Sequence, residues 1–335
     1  MTTLHSRSRG WELLQSALQD PDVDDVLIVR GCELWTASFG RLESHGNLSA
    51  IDVERFLEES LASTGRRLDR VSPIVNTRLA NGARLCAVTR PVATDGFEVA
   101  IRRHRQHEIP LTDFGEYSTC DLVRSLVAHR ANLIICGATG SGKTTLLATL
   151  VRQSIIDGDR VVAIEDTNEL ECVVSSETDA GHLVLLQARP ATVDSPYEVT
   201  LHDLLVTSLR LRPDRIVVGE IRGAEVTSLI HAMNTGHNGS MATCHANSPE
   251  DALRRITQLA VQFSPNWPQH NVVEQLERSV DAVVFMRQRA DGQRIITDIV
   301  EPSEGTHRQL VKDGFVVAAP TRSHHRKGND EAHPC

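Results

Sequence analysis

The nine residues Gly137-Ala138-Thr139-Gly140-Ser141-Gly142-Lys143-Thr144-Thr145 constrain the fold more than any other part of the chain. They contain the pattern G-x-x-x-x-G-K-[ST], preceded by the apolar run Asn132 to Cys136 and followed by a segment expected to be helical from near Lys143. A strand, a glycine-rich turn and a helix in that order aim successive backbone N–H groups and a helix N-terminus at one anion. Gly137 through Thr145 are therefore assigned to the phosphates of a nucleotide. Lys143 is expected to reach the β- and γ-phosphates, and the Thr144 hydroxyl to help hold Mg²⁺.

From about residue 118 the pattern alternates between strands and helices, the signature of an α/β domain. Further buried strands are expected at 160–164, 182–186, 215–218, 240–244 and 282–286. The strand after the loop runs into Ile164-Glu165-Asp166-Thr167-Asn168-Glu169-Leu170. Its three carboxylates fall where open α/β sheets bind ligands, just past the carboxyl end of a strand. One of them is expected to serve as general base or to orient the attacking water, while others help hold the metal. Glu165 and Glu169 are the catalytic candidates, and Asp166 is the metal candidate.

Ile216-Val217-Val218-Gly219-Glu220 reads as a Walker B strand with glycine where many P-loop enzymes carry aspartate. Glu220 is expected to act on Mg²⁺ through water or on the attacking water itself. His237 and His245 flank the next expected strand, and a histidine there can donate a hydrogen bond to a γ-phosphate oxygen. His245 is the preferred sensor of the two. Cys244 and His245 are neighbours on a strand and so face opposite ways, which argues against their binding a metal together.

The remainder of the chain sets the frame. Residues 1–108 read as a small α+β domain, with strands at 26–29 and 33–36, a helix over 49–63 and a hairpin turning at Asn81-Gly82. Another turn is expected at Asp95-Gly96. Residues 109–117 read as a linker, 118–320 as the nucleotide domain, and 321–335 as a polar, disordered tail. No apolar run approaches the roughly 18 residues of a spanning helix, and no signal peptide is evident, so a cytoplasmic protein with at most peripheral membrane contact is expected. The seven cysteines are scattered and form no Cys-x-x-Cys pair, which argues against a disulfide framework or a zinc site. A net charge of −9 and 4% aromatic residues argue against direct nucleic-acid handling.

The four motifs in this order resemble the secretion ATPases of the type II/type IV superfamily: Walker A, aspartate box, Walker B ending in Gly-Glu, and histidine box. IEDTNEL, QARPATVD, LRLRPDRIVVGEIRG and MNTGHNGSMATCHANSPEDALRRI look most like the CpaF/TadA-type ATPases of tight-adherence (Flp) pilus assembly. The resemblance implies a RecA-like P-loop NTPase domain preceded by a smaller α+β, PAS-like domain. It also implies a homo-hexamer that hydrolyses ATP with Mg²⁺ and works on inner-membrane platform proteins of a pilus or secretion system. A conjugation-type secretion ATPase or a nucleic-acid translocase is the alternative within the same architecture. In such proteins arginines of the N-terminal domain reach the phosphates, some from the neighbouring subunit. The matching positions are Arg84 and Arg102, with Arg78 and Arg103 behind them.

Overall fold

The computed structural model describes residues 8–38, 41–62, 64–79, 82–102, 109–167, 169–170, 182–191, 196–264, 266–303 and 307–321. Asn81, Arg103, Asn168, part of QARPATVD and the expected tail beyond Thr321 lie outside them. The chain divides into two compact units, Met1–His107 and Glu108–Cys335.

The first unit contains α1 (Arg9–Gln19), β1 (Asp25–Val29), β2 (Glu33–Ser38), β3 (Arg41–Asn47), α2 (Ala50–Leu61), β4 (Ile74–Arg78), β5 (Arg84–Val88) and β6 (Glu98–Arg102). The strands form one antiparallel sheet in the order β3-β2-β1-β6-β5-β4. Alternate residues Val26, Ile28, Leu85, Ala87, Val99 and Ile101 bury one face against Leu14 of α1 and Val53, Phe56 and Leu57 of α2. The two helix starts share an anchor. Ser8 and Ser49 cap α1 and α2, and both hydroxyls donate to the Asp52 carboxylate at 2.6 Å. Those hydrogen bonds hold the Asp52 carboxyl below its ordinary range, although burial pulls the other way. The opposite sheet face carries Arg78, Arg84 and Arg102 abreast. Arg78 pairs with Arg84 across β4–β5, and Arg84 pairs with Arg102 across β5–β6. Directly opposed residues share a face, so the three cations form a row.

The second unit opens with a 3₁₀ turn, Leu111–Phe114, inside the stretch expected to be a linker. The turn is packed: Phe114 is buried in the core, and Thr149 donates to the Ile109 carbonyl at 3.0 Å. There follow α3 (Tyr117–Ala128), β7 (Leu133–Gly137), α4 (Lys143–Ile156), β8 (Val161–Glu165), β9 (Leu183–Gln187) and α5 (Leu201–Ser208). Next come β10 (Arg215–Val218), α6 (Glu225–Asn234), β11 (Met241–His245), α7 (Pro249–Phe263) and α8 (Gln269–Ser279). The unit ends with β12 (Ala282–Gln288), β13 (Arg294–Glu301), β14 (Arg308–Lys312) and β15 (Phe315–Val316). The sheet order is β15-β14-β13-β12-β7-β11-β10-β8-β9. Strands β12 through β9 in that order are parallel, and β13 to β15 extend the sheet as an antiparallel meander.

The continuous apolar runs of the parallel strands are explained by cover on both faces. Leu133 and Ile135 of β7 pack towards α3 and α4, while Ile134 and Cys136 pack towards α5 to α8. At the amino end of β10 the buried Arg215 donates to Asp159 at 2.6 Å and to the Val127 carbonyl at 2.8 Å, and Arg130 also donates to Asp159. This polar lock closes the end of the sheet opposite the phosphate loop. Among the described residues no helix is long and apolar enough to cross a membrane.

Candidate active site

The carboxyl ends of β7, β8, β10 and β11 bring the chemical motifs to one edge. The register pairs His245 with Gly137 and Ile164 with Val218, so the loop, both acidic segments and the histidine emerge side by side. The loop requires its glycines. A Cβ on Gly137 would stand 2.4 Å from the Met286 carbonyl oxygen and 2.6 Å from Ser141 Oγ. Gly140 and Gly142 have φ of 78° and 94°, a region that favours glycine. Ala138, Thr139 and Gly140 are exposed, and the loop runs directly into α4 at Lys143. The buried Ser141 Oγ has no hydrogen-bond partner among the described residues. An exposed turn of backbone ending at a helix N-terminus, a lysine ammonium and an orphaned hydroxyl fit a polyphosphate.

Lys143 is buried, and its Nζ donates to the carbonyls of Gly137 at 3.0 Å and Ala138 at 2.8 Å. Its third contact is His245 Nδ1 at 3.1 Å. An ammonium only donates, so Nδ1 accepts and the imidazole proton resides on Nε2. Nε2 lies 3.2 Å from Glu220 Oε1, and Glu220 Oε2 accepts from Arg222 Nη2 at 2.6 Å. Arg222 Nη1 reaches Asp166 at 3.5 Å. Lys143, His245, Glu220, Arg222 and Asp166 thus lie in one continuous run of polar contacts.

This run sets the titration of its members. Burial pulls Lys143 below its ordinary value, while the Glu220 carboxylate opposes it. Burial and then the Lys143 charge depress His245, so its imidazole is neutral near pH 7. Burial alone would raise Glu220, but the Arg222 hydrogen bond and charge, with His245 and Lys143, leave it below the usual carboxylate range. Asp166 lies above that range because burial outweighs its attraction to Arg222.

The acidic segment after β8 has divided tasks. Glu165 is only 4% exposed, and its carboxylate accepts from the backbone N–H of Glu169 at 3.0 and 3.1 Å and of Leu170 at 3.1 Å. It ties down the loop that carries Glu169. Gly219 is explained by the same side chain, since a Cβ there would meet Glu165 Cγ at 2.9 Å. The glycine in the Walker B segment therefore makes room for the neighbouring strand's glutamate.

Other candidates fall elsewhere or were missed. Thr144 and Thr145 are half-buried in the first turn of α4. His237 precedes β11 at the far end from His245, which separates it from this edge. Cys244 is buried in the core while His245 meets Lys143. Arg84 and Arg102 lie in the first unit's arginine row, and Arg102 Nε is 3.9 Å from Asp25. Sequence reasoning did not single out Arg222 or Arg294, whose side chain covers Gly142 closely enough that a Cβ there would meet its Cδ at 2.8 Å. Arg222 had a usable signal: a cation two residues beyond Glu220, in the loop that begins the next helix.

Comparison with known proteins accords with this geometry. The chain is 32% identical over 314 residues to the conjugal transfer protein TrbB of Rhizobium radiobacter, covering 88% of this chain and 91% of that one. It is 35% identical over 328 residues to the type IV secretion system protein PtlH of Bordetella pertussis, covering 86% and 93%. The crystal structure of the pilus retraction motor PilT with bound ADP shares the fold at a TM-score of 0.63 and 19% identity, covering 92% of this chain and 84% of PilT. A RecA-like α/β domain preceded in the chain by a smaller α+β domain is thus the architecture. The type II/IV secretion system protein family model matches residues 20–322, and the chain belongs to that family.

Proposed function

We propose that this protein is a Mg²⁺-dependent ATPase that converts ATP to ADP and phosphate and drives assembly or export at the cell envelope. The observation that carries the proposal is the run of contacts from Lys143, hydrogen-bonded to His245 Nδ1 at 3.1 Å, to Glu220, whose Oε1 lies 3.2 Å from His245 Nε2; it brings the phosphate loop and the Walker B carboxylate together. Lys143 exchanges its contact with His245 for β- and γ-phosphate oxygens. That exchange leaves the His245 imidazole able to turn towards the same oxygens. Glu220, whose carboxyl lies below the usual range and is ionised at neutral pH, orients the attacking water and accepts its hydrogen bond. Thr144, Asp166 and Glu220 would hold Mg²⁺, which would supply positive charge against the charge on the transferred phosphoryl group. Glu165 positions Glu169 through the loop. Phosphate release by the purified protein tests this site. Lys143→Ala and Glu220→Gln are each expected to lower turnover by about a hundredfold or more, with Glu220→Gln still binding nucleotide. Unchanged turnover in either removes the assignment.

The subunits act as a homo-hexamer at the cytoplasmic face of the membrane, on an inner-membrane platform protein, and the load is a pilin of the tight-adherence type. The segments IEDTNEL and LRLRPDRIVVGEIRG support that choice of load. Conjugal transfer is the second reading, favoured by the name of the TrbB relative. A deletion strain separates the two: loss of surface pili with normal conjugation supports the first, and the converse supports the second.

A further inference from the structure

We infer that Arg222 is a displaceable cation that occupies the Glu220–Asp166 carboxylate pair in place of Mg²⁺, so that metal binding requires it to leave. This inference rests on the nucleotide reading above and concerns only how the metal is admitted. Arg222 spans the two carboxylates, with Nη2 2.6 Å from Glu220 Oε2 and Nη1 3.5 Å from Asp166 Oδ2. The same two carboxylates are the site's metal candidates, so guanidinium and metal compete for one set of negative charge.

The backbone around Arg222 is pinned while its side chain faces solvent and, among the described residues, is held only by the two carboxylates. The N–H groups of Arg222 and Gly223 donate to the buried Glu225 carboxylate at 2.6 and 2.7 Å, which pins the loop to the start of α6. The Arg222 side chain itself is 57% exposed, against 20% for Glu220. Turning it into solvent breaks an ion pair that water already screens, so the exchange costs little. A cation in this position also keeps Glu220 from being left as an unpaired, half-buried carboxylate when no metal neutralises it.

The experiment measures Mn²⁺ binding by electron paramagnetic resonance to the full-length protein with saturating ADP, and ADP binding in EDTA by calorimetry. Arg222→Gln is expected to bind Mn²⁺ about two- to fivefold more tightly, the scale of one exposed ion pair, with ADP affinity in EDTA unchanged. Arg222→Lys, which keeps the charge and loses the two-pronged geometry, is expected to fall between and carries the test if Arg222→Gln folds poorly. Unchanged or weaker Mn²⁺ binding in both variants overturns the inference. So does a matching loss of ADP affinity in EDTA, which would place Arg222 on the phosphates instead. A wild-type protein that binds ADP neither with nor without Mn²⁺ overturns the nucleotide reading as well, and is distinct from both other results.

Discussion

Gly219 lies directly against the Glu165 side chain, with room for a hydrogen atom and no more. A Cβ at Gly219 would stand 2.9 Å from Glu165 Cγ and 3.3 Å from its Oε1. Strands β8 and β10 cannot part to relieve this, because the Gly219 N–H donates to the Ile164 carbonyl at 2.8 Å. The only escape is for Glu165 to leave the Glu169 and Leu170 amides. Gly219→Ala is therefore expected to destabilise the protein by about 1–3 kcal/mol and to lower turnover. Urea unfolding of the wild type, Gly219→Ala, Glu165→Ala and the double variant checks the contact. The double variant should be less destabilised than the two single effects together, whereas simple additivity would show that the two residues do not act on each other.

The Lys143–His245 contact predicts an acid limb in both activity and stability. Burial and the Lys143 charge lower the folded His245 pKa below its ordinary 6.5. The unfolded chain then binds the proton more readily than the folded chain, so the stabilising contribution is full above that value and is lost as pH falls through the folded pKa. Protonation also removes the Nδ1 lone pair that accepts from Lys143. Turnover is expected to fall as pH drops through the folded His245 pKa, which lies below the ordinary 6.5, and His245→Gln should flatten that limb. A pH–rate profile of both proteins is the measurement, and an identical limb in the variant assigns the titration to another group.

Arg78, Arg84 and Arg102 stand in one row of the first unit's sheet, and the resemblance to the secretion ATPases assigns Arg84 and Arg102 to the nucleotide phosphates. Arg84→Ala and Arg102→Ala are each expected to lower turnover at least about tenfold while nucleotide binding persists. If the row serves a neighbouring subunit, mixing Arg84→Ala protein with inactive Lys143→Ala protein should restore part of the activity. Phosphate release across mixing ratios reads this directly, and no recovery at any ratio places the arginines in the same subunit's site.

The Arg215–Asp159 pair predicts a large structural cost far from the chemistry. Arg215 is 1% exposed and Asp159 4% exposed, and they meet at 2.6 Å. Asp159→Asn removes the carboxylate that neutralises the buried Arg215 and should cost about 3–5 kcal/mol, whereas Arg215→Leu leaves Asp159 paired with Arg130 and should cost less. The double variant Arg215→Leu/Asp159→Leu should cost less than the sum of the two single losses. Denaturant midpoints decide, and a loss below about 1 kcal/mol in both single variants would show that the pair is solvated.

Local chemistry was legible wherever a residue type answers a local demand. The glycine loop, each parallel strand to within two residues and the helix over 49–63 follow from glycine conformation and the periodicity of apolar residues. The antiparallel strands β3, β13, β14 and β15 were missed. β3 is exposed throughout and so carries no alternation of burial, and the meander's pairings become favourable only once β12 is in place. Phe114 looked like part of a linker because Pro110 and Gly115 surround it, yet it fills the core beside α3 and α4.

By itself the sequence determined the residue types of the candidate site: a lysine and glycines suited to phosphate, carboxylates after two strands, and a histidine at the end of a third. Only the tertiary structure divided the labour among them. Glu165, Asp166 and Glu220 are equivalent as letters, but burial and partners make the first a loop anchor and place Arg222 between the other two. His237 and His245 are likewise equal in sequence, and the direction of β11 sends them to opposite ends of the sheet. The physical reason is that a carboxylate's or imidazole's role depends on desolvation and on the charge within a few ångströms. Those neighbours come from strands that are distant in the chain and adjacent only in the folded sheet.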